Sequence, residues 1–119
     1  MQRKKTVPPH RKSPVVWVVQ ESPGKNLLAA RVYGELVVLW DRFDQLSLTS
    51  RPYIESVRER MDYRPGDSLL AVGDPALIAI CAALAALKNN GCLTLLKWDR
   101  QEQCYIEIPM DLGVPNESV

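Results

Sequence analysis

The chain has 119 residues, 46% of them hydrophobic and 24% charged, with a formal net charge of +1. That length suits one domain with its own core and is too short for two. The longest apolar run, residues 76–87, falls well short of the roughly 20 residues that cross a bilayer, and no apolar segment follows the first charges, so neither a membrane span nor a secretory leader is expected.

In chain order, residues 1–14 form a basic arm carrying Arg3, Lys4, Lys5, Arg11 and Lys12 with no acid, and Pro8, Pro9 and Pro14 with almost no large apolar side chain. Such a segment cannot bury enough surface to offset its ordering entropy, so it is expected to be disordered when free. The remainder, residues 15–119, holds ten basic and fourteen acidic residues, a net of about minus 4. His10, the only histidine, lies in the arm and reads as a solvated residue, which argues against a nucleophilic triad.

Residues 15–112 read as a single domain. The run Val15-Val-Trp-Val-Val19 is a β-branched strand, broken by the turn residues 20–25. Residues 26–33 suggest a short helix with Leu27, Leu28 and Arg31 on one side, ended by Gly34. Residues 35–40 form a second strand. From Ser50 to Tyr63, Ile54, Val57 and Met61 mark the apolar stripe of an amphipathic helix, stopped by Arg64-Pro-Gly-Asp67.

The most specific signal is Ser68-Leu-Leu-Ala-Val-Gly-Asp74 followed by Pro75 and the wholly apolar residues 76–87. An apolar strand runs into a tight turn, Asp74 supplies an N-cap acceptor, and Pro75 stands where a missing N–H costs nothing. Asn89-Asn90-Gly91 gives a helix stop and Cys92-Leu-Thr-Leu-Leu-Lys-Trp98 a returning strand, so residues 68–98 have the order of one βαβ unit. Residues 99–103 read as a reverse turn into Cys104-Tyr-Ile-Glu-Ile108, with Ile106 and Ile108 inward and Tyr105 and Glu107 facing solvent. Residues 113–119 are expected to fray. The fold class is α/β: a three-layer domain with a mainly parallel sheet and a C-terminal antiparallel hairpin.

A helix apolar all round needs cover on more than one side, so a homo-oligomer through residues 76–87 is expected. Cys81, Cys92 and Cys104 match no zinc spacing and read as buried, reduced thiols in a cytoplasmic setting.

In doubly wound sheets ligands sit beyond the carboxyl ends of the strands. The loops 20–25, 41–44 and 73–75 are expected there, with Asp99 and Arg100 as a fourth contribution. Glu21 and Asp74 are the candidate carboxylates for a divalent cation. On the hairpin, Trp98, Arg100 and Tyr105 with Lys97 combine aromatic and cationic surface suited to stacking on bases or anchoring a protein. The bland alternative has Trp98 filling the core and Arg100 pairing with Glu102. Gly24-Lys25 lacks the remaining residues of a phosphate-binding P-loop.

Two resemblances bear on function. Val18-Val-Gln-Glu-Ser-Pro-Gly-Lys25 resembles the first strand and loop of Toprim domains of type IA topoisomerases, which implies a metal-dependent phosphoryl-transfer enzyme using Mg at Glu21 and Asp74; the second acid pair of that family is missing after Asp74. Gly73-Asp74-Pro75, the apolar helix and Leu95-Leu-Lys-Trp-Asp-Arg-Gln-Glu102 are similar to a group of small, uncharacterised phage-encoded α/β proteins, which implies an accessory binding role in the host cytoplasm. The combined expectation is a non-enzymatic protein that binds DNA or RNA through Arg3, Lys4, Lys5, Arg11 and Lys12 together with Lys97, Trp98 and Arg100. No catalytic residues and no cofactor are expected outside the Toprim-like alternative. A host or viral protein is the alternative partner, in a regulatory or virion-associated module.

Overall fold

A computed structural model describes residues 13–46 and 48–113. The elements run β1 (Val15–Gln20), a 3-10 helix (Leu27–Tyr33), β2 (Glu35–Trp40), α1 (Arg51–Arg60), β3 (Ser68–Leu70), α2 (Pro75–Lys88), β4 (Cys92–Asp99) and β5 (Cys104–Asp111). They form one five-stranded sheet in the order β2-β1-β3-β4-β5. The first four strands are parallel and β5 is antiparallel to β4, the mixed sheet with a C-terminal hairpin that the patterning predicts. No helix among the described residues is long and apolar enough to cross a membrane.

The chain steps outward from β1 to β2 on one side and from β3 to β4 on the other. Right-handed crossovers then place the 3-10 helix on one face and α1 with α2 on the opposite face. The side chains of β1 divide accordingly: Val15, Trp17 and Val19 join the core with Val57, Leu77 and Cys81, whereas Val16 and Val18 pack with Ala30 and Leu70. Every residue of β1 is buried, because the strand has neighbours on both edges and cover on both faces.

The connection over the second face is a 3-10 helix, and its period of three determines what it buries. Leu27, Ala30 and Tyr33 recur at that interval and turn toward the sheet. Leu28 and Arg31, expected beside Leu27, are exposed instead, Leu28 to 70%. An α-helical reading of the segment groups the wrong residues.

Both α-helices form where expected, α1 ending earlier, at Arg60, with Met61 as its C-cap. The side chain of Asp74 caps α2 by accepting from the Ala76 N–H at 2.8 Å, and Pro75 opens the helix. Leu77, Cys81, Leu84 and Ala85 are buried, each large side chain contributing about 1.5–3 kcal/mol. Ala79, Ala83 and Leu87 remain open on the outer side. At the far end Asn90 and Gly91 take left-handed φ values of 56° and 85°, and the Gly91 N–H donates to the Ala86 carbonyl at 2.7 Å. The Lys88 ammonium donates to the carbonyls of Arg58 and Met61, satisfying orphan groups at the end of α1.

Two expectations about the hairpin are corrected. Tyr105 is 4% exposed: it faces the same side as Glu107 but lies beneath Trp98, and its carbonyl accepts from the Tyr33 hydroxyl at 2.6 Å. The 3-10 helix covers a face that period-two patterning alone assigns to solvent. Ile106 and Ile108, expected inward, are only half-buried. The cysteines are all free, but only Cys81 is buried; Cys92 is intermediate and Cys104, at the start of the edge strand, is exposed.

Candidate functional site

The carboxyl end of the sheet carries two distinct arrangements. At the topological switch between β1 and β3, where related sheets open a ligand crevice, the side chain of Gln20 fills the space. Gln20 continues β1 and is 4% exposed. Its amide nitrogen donates to the carbonyls of Asp41 (2.9 Å) and Asp44, and its Oε1 accepts from the Asp74 N–H at 2.7 Å. One side chain at the end of β1 thereby ties together the loops after β2 and β3. Gly73 is shaped to this plug: its φ is 115°, and a Cβ there would collide with the Gln20 side chain.

The candidate metal residues sit around that clamp. Asp74 uses Oδ1 for the Ala76 N–H and Oδ2 for the Leu46 N–H at 3.2 Å, so both carboxylate oxygens hold backbone. Glu21 is exposed, and its N–H donates to the Trp40 carbonyl at 2.9 Å. Among the described residues no group of three or more His, Cys, Asp or Glu side chains is gathered to hold a metal ion. Asp99 and Arg100, expected as a fourth contribution, do not line this crevice.

The second arrangement is a cleft of about 760 Å³ where β3 leaves β4. Pairing between these strands ends at Leu70 and Leu96. The Val72 N–H donates to the Leu70 carbonyl at 3.0 Å, a tight turn that peels the chain away toward Asp74. From Lys97 to Asp99, β4 therefore runs on with β5 on one edge and, among the described residues, no strand on the other. The floor is apolar, with Leu70, Val72 and Leu96, and the loop Gly24-Lys25-Asn26 forms one wall.

Trp98 and Tyr105, opposite each other across the hairpin, meet edge to face with ring centroids 4.9 Å apart and planes at 74°. That geometry is favourable for aromatic pairs and holds the indole of Trp98 in one orientation. Trp98 is part-buried on Tyr105 and also lines the cleft, so it belongs partly to the core and partly to the site. Lys97 and Lys25 line the same cleft, are exposed, and form no ion pair among the described residues. Arg100 is exposed in the β4–β5 turn and makes no salt bridge with Glu102. The turn is built instead by Asp99, whose Oδ1 accepts from the Gln101 N–H at 3.0 Å, and by Gln103 at φ 56°.

The structure thus places Lys97 and Trp98, successive residues of β4 whose side chains leave opposite faces of the sheet, on the lining of one cleft at the open edge, and leaves Arg100 on the neighbouring turn. Lys25 joins them although it is over 70 residues away in sequence, which no local pattern reveals. Gln20, expected in the loop after β1, is instead the last residue of that strand, and its role as a plug had one signal, a polar residue ending an otherwise apolar strand. Arg3, Lys4, Lys5, Arg11 and Lys12 lie outside the described residues.

A model of the phage Pam3 gp32-like protein family matches residues 14–112. Neither the curated proteins nor the solved structures contain a match.

Proposed function

The chain belongs to the phage Pam3 gp32-like protein family, and on that footing we propose that it is a non-enzymatic accessory protein that binds nucleic acid. The observation that carries this reading is the cleft beside Trp98, whose lining includes Lys25 and Lys97 and no acidic side chain, in a body whose net charge is about minus 4. A basic, partly aromatic surface on an otherwise acidic body selects for a polyanion. Arg3, Lys4, Lys5, Arg11 and Lys12 extend the same charge along the chain, and Arg100 stands on the adjoining turn. The Toprim-like alternative depends on Asp74, whose carboxylate is committed to two backbone N–H groups, so the binding reading is the one carried forward.

The test is fluorescence anisotropy of labelled single-stranded DNA, duplex DNA and RNA over a salt series. Five phosphate contacts from the basic segment give a log–log salt slope of about minus 4.5 on duplex and about minus 3.5 on single strands. A full-length variant with those five residues changed to Gln loses that slope. Absence of binding to all three nucleic acids at low salt overturns the reading.

One observation favours a second reading, a protein-binding module. Leu28, Val32 and Val38 are exposed to 70%, 83% and 43% along the 3-10 helix and the edge strand β2. Exposed apolar side chains on two neighbouring elements offer surface for a protein contact. Binding of a protein partner that survives high salt and is lost on Val32→Glu supports this reading.

A further inference from the structure

We infer that the cleft between the end of β3 and β4 takes a single unstacked base of a single-stranded nucleic acid, laid on Trp98, with flanking phosphates at Lys25 and Lys97. This rests on the nucleic-acid reading and adds to it a site and a strand preference. Three features converge on that occupant. First, Trp98 alone among the three tryptophans has surface to offer: Trp17 and Trp40 are 0% and 5% exposed, whereas Trp98 is part-exposed and held edge-on to Tyr105. A rigidly held indole is a stacking platform that any base can use. Second, the volume of about 760 Å³ lies within the roughly 300–1,000 Å³ of ordinary ligand clefts and exceeds what a flat ring needs alone, leaving room for a sugar.

Third, the cleft joins an apolar floor to two ammonium groups that have no ion pair among the described residues and to a stretch of β4, Lys97–Asp99, with no described strand on that edge. An apolar floor accepts a ring, the ammonium groups accept phosphates, and the free strand edge offers hydrogen bonds to the rim of the base. A duplex cannot present this combination, because its bases are stacked on one another and paired.

The experiment follows the tryptophan emission of the full-length protein during titration with a short oligothymidylate and with an abasic phosphodiester strand of the same length and charge. The two buried tryptophans give a constant background, so quenching reports Trp98. The base-bearing strand is expected to quench the emission and to bind roughly 5- to 150-fold more tightly than the abasic strand, the range for one base stacked on an aromatic residue. Trp98→Phe keeps a ring against Tyr105 but removes the reporting indole, so its affinities are read by anisotropy of the same strands carrying a fluorescent label; the ratio is expected to fall, and Lys97→Gln to weaken both strands alike. Equal affinity for the two strands with no quenching overturns the cleft assignment and leaves nucleic-acid binding by the basic segment intact. Failure of both strands to bind at low salt overturns the two readings together.

Discussion

Two buried polar side chains pin β1 at its ends. Asp67, 2% exposed, accepts from the Val15 N–H, the Trp17 indole N–H and the Arg64 N–H, each at 3.0 Å. Its replacement by Ala strands these donors in the core, and a loss of about 2–4 kcal/mol is expected in urea unfolding, with a smaller loss for Asp67→Asn, which keeps one acceptor oxygen. At the other end, Gly73→Ala forces a Cβ into Gln20 at a φ of 115°, and a destabilisation of about 2–4 kcal/mol is expected in the same assay. Cys81 supplies a pH-dependent contribution. Burial pushes its thiol up to about 12 from 9.0, with Arg60 opposing. The folded chain holds the neutral thiol while the unfolded chain ionises, so this contribution is intact below about pH 9 and declines as pH rises toward 12. Urea midpoints across that window should fall more steeply for the wild-type protein than for Cys81→Ala; equal slopes would show that Cys81 is not responsible.

At the scale of elements, residues 68–98 were legible because each local cue agreed: an apolar strand, an Asp cap, a Pro, an apolar helix and an Asn-Gly stop all pointed to one βαβ unit. The 3-10 helix was less legible, since seven residues fit either helical period and only the sheet beneath selects the face. Its two sides should respond oppositely to mutation. Ala30→Leu overpacks a fully buried position and is expected to cost about 1–3 kcal/mol in thermal melts. Leu28→Lys, at an exposed position, should stay within about 0.5 kcal/mol. If both behave alike, the assigned face is wrong. Tyr105 shows the same limit from the strand side: alternation correctly places it with Glu107, but cover arriving from residues 27–33 buries one and leaves the other exposed.

For the whole molecule, the outer side of α2 carries the oligomer question. Ala79, Ala83 and Leu87 are exposed on a helix without a polar face, and we propose a second copy as their cover. Sedimentation should then show a dimer that Leu87→Lys dissociates, and a monomeric wild-type protein at high concentration rejects the proposal. The α/β class, the parallel βαβ core, the hairpin and the charge division between the arm and the body were determined by sequence alone, because periodicity, capping and composition act over a few neighbouring residues. The Gln20 plug, the Asp67 anchor and the cleft that unites Lys25 with Lys97 and Trp98 were decided only by the tertiary structure. Each depends on where segments distant in sequence end beside one another: a local turn after Leu70 ends the pairing of β3 with β4, but only the assembled sheet sets Lys25 beside the edge that this exposes.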